Sequence, residues 1–255
     1  MVWLIANNLD YEGAKVFLAQ RFPFLEHTPL FDYRELSKTI PGFQVPIFAT
    51  DSVGYINNLK SPRFIKTHLP YNLLPEQIKN NSEHPKIIYV SRDAKDCLIS
   101  YYHHCGLMEG YKGSFSDFYK LFMGDRLLYA PFWPHILSYW ERRHQNNIIF
   151  LKFEDMKADL PSVIRKVAKF LDKEYSDEQI ATLTKHLSFE SMKNNPAVNY
   201  ESVIETNKKY GLTDAKGNFM RSGKVGDSKT HLTAEQLEEI NLWSKKSVEG
   251  TQFQT

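Results

Sequence analysis

Lys86-Ile87-Ile88-Tyr89-Val90-Ser91-Arg92-Asp93-Ala94-Lys95-Asp96-Cys97-Leu98-Ile99-Ser100 passes from one kind of pattern to another within fifteen residues. Ile87 to Val90 is a continuous apolar run rather than an alternation, which reads as a strand covered on both faces of a parallel sheet. Ser91-Arg92-Asp93 closes it, and a helix is predicted to open near Ala94. Arg92 then sits at the carboxyl end of a strand and Ser100 lies on the helix that follows. Two more runs have the same strand character: Phe64 to Lys66, and Ile148-Ile149-Phe150-Leu151.

Helical patterns fall between and after these runs. Val163, Ile164, Val167, Phe170 and Leu171 recur at helical spacing, with Pro161 near the first turn. Ser176-Asp177-Glu178-Gln179 and Thr233-Ala234-Glu235-Gln236 are both capping-box patterns. Strands alternating with helices predict an α/β fold, three layers about a central, mostly parallel sheet. With no internal repeat, low-complexity tract or long linker, residues 1–255 are expected to form a single domain. Residues 197–228 lack periodicity and are expected to be an irregular functional loop.

Composition excludes several classes. A formal net charge of +2 over 255 residues gives no global attraction to nucleic acid or membrane, so any basic site must be local. No apolar run approaches the roughly 18 residues of a membrane span. Cys97 and Cys105 are the only cysteines. They make no disulfide framework, and with no leader pattern the expected address is a reducing one, the cytoplasm. Aromatic residues at 14% leave room for an apolar pocket that takes a flat ligand.

Two segments carry candidate chemistry. Arg63-Phe64-Ile65-Lys66-Thr67-His68-Leu69-Pro70 ends a strand-like run in a cation and an imidazole, and Pro70 forbids a regular continuation. Lys66 supplies fixed positive charge. His68 is the side-chain type suited to a general base near neutrality. Phe219-Met220-Arg221-Ser222-Gly223-Lys224-Val225-Gly226-Asp227 sets two glycines among basic residues, so its backbone can approach an anion closely. The Walker spacing is absent from it. Arg92, together with free N–H groups at the start of the following helix, is expected to add a second part of an anion site. No metal site is expected: His103, His104 and Cys105 are consecutive, and consecutive helical residues point apart.

Taken in order, five segments closely resemble the cytosolic sulfotransferases: Lys66 to Pro70, Tyr89 to Asp96 with Ser100 to His103, Phe153-Glu154-Asp155-Met156-Lys157, Ser188 to Lys193, and Phe219 to Asp227. The resemblance spans nearly the whole chain. It implies transfer of the sulfonate of 3′-phosphoadenosine 5′-phosphosulfate (PAPS) to a hydroxyl or amine of a small acceptor, without a metal. By motif match His68 resembles the general base and Lys66 the cation near the sulfonate. Arg92 and Ser100 resemble holders of the cofactor's 3′-phosphate, as do Arg221, Ser222 and Gly223 in the late loop. Ser188 and Phe189 fall where relatives line the adenosine. Phe24, His27, His104 and Cys105 match positions near the acceptor pocket. Lys229, Thr233 and Glu238 resemble a dimerisation motif, with Ala234 where Val is usual, so a homodimer is implied. Nucleic-acid and membrane partners are not.

The resemblance also sets expectations where the chain departs from the pattern. The strand and loop resembling Pro-Lys-Ser-Gly-Thr-Thr-Trp, which cradles the phosphosulfate, has no counterpart. Met1-Val2-Trp3-Leu4-Ile5 matches the helix after that loop, so the chain is expected to begin one element late. A truncated chain that only binds nucleotide or dimerises is the alternative this implies. Phe153 stands where Tyr is frequent, and Ser222 where Lys or Arg is frequent.

Overall fold

A computed structural model describes residues 1–31, 33–80 and 83–255. Strands β1 (Ile87–Ser91) and β2 (Ile148–Lys152) pair in parallel, with Ile87 opposite Ile148 and Tyr89 opposite Phe150. The crossover between them runs through helices Ala94–Met108, Phe115–Met123 and Phe132–Trp140. Side chains alternate across a strand, and the two faces of this pair meet different cores. Ile87, Tyr89, Ile148 and Phe150 join a core with Leu98, Phe118, Trp133 and Ile240. Ile88, Ile149 and Leu151 join another with Ile5, Ile164, Val167 and Leu183. Helices therefore cover both faces, which makes the three-layer α/β arrangement expected from the unbroken apolar runs.

The sheet is smaller than the sequence predicts. Among the described residues it holds two strands, and Phe64 to Lys66 is no strand but one isolated parallel bridge, Phe24 to Lys66. The physical limit lies in its partner. Lys66 N donates to the Pro23 carbonyl and Leu25 N to the Lys66 carbonyl, but Pro23 has no N–H with which to extend the ladder.

Helix starts follow the predicted signals. Asp159 caps Leu160–Phe170, with Pro161 in the first turn and Val163, Ile164 and Val167 buried. Ser176 and Thr233 form complete capping boxes at Asp177–His186 and Ala234–Ser247. The expectation of a wholly irregular segment over 197–228 is corrected by helix Glu201–Lys209, which buries Ile204. Its N-cap is Tyr200, held in the left-handed region, and the Asn199 side chain accepts from Glu201 N instead. A cap displaced by one residue leaves no standard start signal to read.

Candidate active site

The first half of the site is the loop after Lys66. Its backbone is gripped from two sides. Glu26 Oε1 accepts from the Thr67 hydroxyl, from His68 N (3.2 Å) and from Leu69 N (3.1 Å). On the other side, His135 Nε2 lies 2.9 Å from the His68 carbonyl and Tyr139 donates to the Leu69 carbonyl at 2.7 Å. A carbonyl only accepts, so His135 carries its proton on Nε2, and Nδ1 accepts from Tyr89 OH at 2.9 Å. None of these four partners carries a sequence signal that sets it apart from an ordinary loop or core residue.

An aromatic wall meets the imidazole of His68. Its ring centroid lies 4.6 Å from that of Tyr129 and 5.3 Å from that of Phe24. Phe24 in turn lies 6.0 Å from His27 and carries the Lys66 ammonium 5.0 Å from its ring centre. Phe31 and Tyr33 extend the wall beyond His27. Phe24, His27, Lys66 and His68 are thus brought together as predicted. Tyr129 is an addition that the sequence did not flag; it sits at φ +69°, a conformation few non-glycine residues adopt. His104 is near Tyr101 and Phe219 and 3.5 Å from Glu109. Cys105 is buried in the core and donates to Glu109, and that burial raises its thiol pKa.

Two histidines of the wall are held neutral. Burial, the Lys66 charge and the neighbouring His135 and His104 lower His68 to about 3. Burial and Lys66 lower His27 to about 4. Both groups bind a proton more readily in the unfolded chain, near pH 6.5. Their contribution to stability is therefore present above that pH and lost as pH falls towards the folded values. At pH 5 each is expected to cost about 2 kcal/mol. Thermal unfolding followed from pH 7 to pH 5 should show a falling midpoint, and a flat profile would contradict the neutral assignment.

The second half of the site joins the end of β1 to the late loop. Arg92 donates to the Lys224 carbonyl at 3.4 Å and stacks on Phe153, 4.6 Å to the ring centre. The Arg92 Nε is buried with no hydrogen-bond partner. Asp96, 2% exposed, accepts from Gly226 N at 2.7 Å and Ser228 N at 3.0 Å, so the helix after β1 carries the late loop directly. Gly223 has φ +61°, and a Cβ there would lie 2.3 Å from the Phe189 ring. Arg221 pairs with Asp227, whose carboxylate also lies 3.7 Å from His231 Nε2. Burial works against ionisation of Asp227, but the Arg221 bond and charge outweigh it and hold the carboxyl below its usual range.

One expectation is corrected here. The amides opening helix Ala94–Met108 are not free for an anion: Lys95 N and Asp96 N donate to the Asp93 side chain, and Asp93 N donates to Glu154. Asp93 is too good an N-cap to leave those donors open.

The family model described as "Sulfotransferase domain" matches residues 1–252. The chain belongs to the sulfotransferase family. It is 45% identical over 255 residues to the luciferin sulfotransferase of Photinus pyralis, covering all of this chain and 69% of that one. Sulfotransferase 1B1 of Canis lupus familiaris is 34% identical over 257 residues, covering 100% and 79%. A crystal structure of retinol dehydratase in complex with androsterone and inactive cofactor PAP superposes with a TM-score of 0.87 at 29% identity, covering 100% of this chain and 77% of that one.

On this sulfotransferase chain, Ser100 lies in the second turn of the helix that starts beside Arg92, and Ser188 caps helix Phe189–Lys193. Ser222 Oγ accepts from Lys224 N, inside the turn that Arg92 touches. Arg92, Phe189, Arg221, Ser222 and Gly223 thus form one neighbourhood. Lys229, Thr233 and Glu238 are exposed, and Thr233 spends its side chain on the N-cap of Ala234–Ser247. Among the described residues there is no group of three or more metal-ligating side chains and no helix long and apolar enough to cross a membrane.

Proposed function

We propose that this chain transfers the sulfonate of PAPS to a hydroxyl or amine of a small aromatic or lipophilic acceptor, with His68 as the general base. The observation that carries this reading is the His68 imidazole set against an aromatic wall beside the one cation, Lys66, that shares its loop. The residues also fit the donor. The buried, unpartnered Arg92 Nε offers a ready donor to an anion, and Gly223 lets the late loop pack directly on the Phe189 ring, where a Cβ would lie 2.3 Å away.

Bound PAPS supplies an activated sulfonate whose leaving group is the nucleotide. Arg92, Ser100, Arg221, Ser222 and Gly223 hold its 3′-phosphate, while Ser188 and Phe189 line the adenosine. Phe24, His27, His104 and Tyr129 orient an acceptor so that its hydroxyl faces His68 Nε2 or Nδ1. A base with so low a pKa is a weak proton acceptor at neutrality. Part of that depression comes from Lys66, and an anion placed beside Lys66 opposes it. Burial, the larger cause, would remain, so a bound donor would offset only the part of the depression that Lys66 contributes. Lys66 then offsets charge on the transferring group. Apolar walls favour lipophilic acceptors, in keeping with relatives named for luciferin and solved with androsterone or retinol. Exposed Lys229, Thr233 and Glu238 offer a surface for a homodimer. Cys97 and Cys105 are free thiols, as suits a reducing cytoplasm.

The test is a calorimetric titration of 3′-phosphoadenosine 5′-phosphate into the folded chain, followed by a transfer assay with a phenol. Binding is expected, and Arg92→Ala or Arg221→Ala should each weaken it by about 10- to 100-fold, the loss of a hydrogen bond to a charged group. A folded chain that binds no nucleotide would remove the donor assignment. Binding without turnover would make the chain a nucleotide-binding relative rather than an enzyme acting alone.

A further inference from the structure

We infer that Glu26 is a positioning residue for His68, holding the Thr67-His68-Leu69 backbone from its amide side while His135 and Tyr139 hold it from its carbonyl side. This rests on the reading of His68 as the base. The peptide unit between His68 and Leu69 is fixed at both poles: the Leu69 amide by Glu26 and the His68 carbonyl by His135. With its backbone locked, the imidazole is left only its side-chain rotamers, and the rings of Phe24 and Tyr129 confine those.

A carboxylate does more here than a neutral acceptor would. Glu26 is 8% exposed, and its second oxygen is buried without any hydrogen-bond partner. A buried ion with half its acceptor capacity idle is costly to retain for anchoring a loop alone. The charge has a use within reach. The charged or titratable groups that face it are Lys66, His68, His135, Tyr129 and Tyr139. Of these, Lys66 is the fixed cation of the site. Crowding by protein atoms lowers the Lys66 pKa, and Glu26 acts in the opposite direction. Lys66 keeps a solvent-facing side, so water screens part of this help. Glu26 thus sets the orientation of the base and supports the charge of the cation beside it.

The test uses Glu26→Gln, which keeps shape and one acceptor but removes the charge, read by amide hydrogen exchange and by steady-state kinetics. The His68 and Leu69 amides are expected to exchange about 10- to 100-fold faster, as for loss of a charged acceptor. The kcat should fall at least about tenfold with KM for donor and acceptor little changed, the signature of an interaction needed at the chemical step. The alkaline limb of the pH–rate profile should move to lower pH, and Lys66→Arg in the same background should restore it, because a guanidinium does not titrate there. A merely structural role would leave that limb in place. His135→Gln, which removes the ring's bond to the His68 carbonyl along with its bond to Tyr89 OH and leaves Tyr139 on the Leu69 carbonyl, is the second variant, and it too should lower kcat at constant KM. Unchanged exchange and an unchanged profile in Glu26→Gln, with His68→Ala still abolishing transfer, would overturn the positioning role alone. Full turnover in His68→Ala would instead overturn the base assignment on which it rests.

Discussion

His68→Ala is expected to lower sulfonate transfer by about two to four orders of magnitude, the usual contribution of a positioned general base. Nucleotide affinity should be unaffected, because the residues near the loop proposed for the 3′-phosphate are Arg92, Phe189 and Arg221 rather than His68. The substitution should also raise stability at mildly acidic pH. His68 is held neutral at a folded pKa of about 3, so removing it deletes a group that the unfolded chain protonates more readily. The expected pair of results is a dead enzyme that survives acid better than its parent. The assay is turnover at saturating donor, alongside thermal melts at pH 5 and pH 7. Turnover within tenfold of the parent would sink the base assignment, and melts shifted equally at both pH values would contradict the neutral imidazole.

Asp96→Ala is expected to do the largest damage to stability of any single change at the site. The carboxylate accepts from two backbone amides, one of them on Ser228, which is 1% exposed, and it lies 3.9 Å from Arg92. Alanine leaves both amides without acceptors and Arg92 without its nearby anion. Breaking such a buried set costs about 3–5 kcal/mol, which in a domain of this size lowers the melting midpoint by roughly 6–20 °C. The loop from Arg221 to Asp227 then loses its anchor to the helix that begins beside Arg92, and nucleotide affinity should drop at least about tenfold. Asp96→Asn keeps one acceptor and should fall between the two. A melt within about 2 °C of the parent, with unchanged nucleotide affinity, would show that the loop is held some other way.

How much of this was legible depends on the range of the forces involved. β1 and β2 were readable because burial on both faces writes itself as an unbroken apolar run, and Ser176 and Thr233 because a capping box closes within four residues. Phe64 to Lys66 has the same apolar look, yet its ladder is cut short by Pro23, about forty residues away in the chain, so no local pattern reveals it. Helix Glu201–Lys209 was hidden by a cap placed one residue early. Among the candidate site residues, Lys66, His68, Arg92, Arg221 and Gly223 could be named from the sequence because their own chemistry marks them. Asp96 was quoted only as part of a motif, since an acidic residue in a first helical turn is what the helix dipole favours anyway. Glu26, His135 and Tyr129 act through tertiary contacts alone, and nothing near them in sequence says so.

The pairing of Arg221 with Asp227 has a consequence for the molecule as a whole. Under the proposed function, a nucleotide phosphate reaching this loop would exchange places with an anion that the protein already carries, much as one counter-ion replaces another on an exchange resin. Arg221 is balanced before any ligand arrives, so it projects little positive potential into the solvent. A chain with formal net charge +2 can thus carry such a loop without presenting the broad basic face that draws proteins onto polyanions such as DNA or RNA.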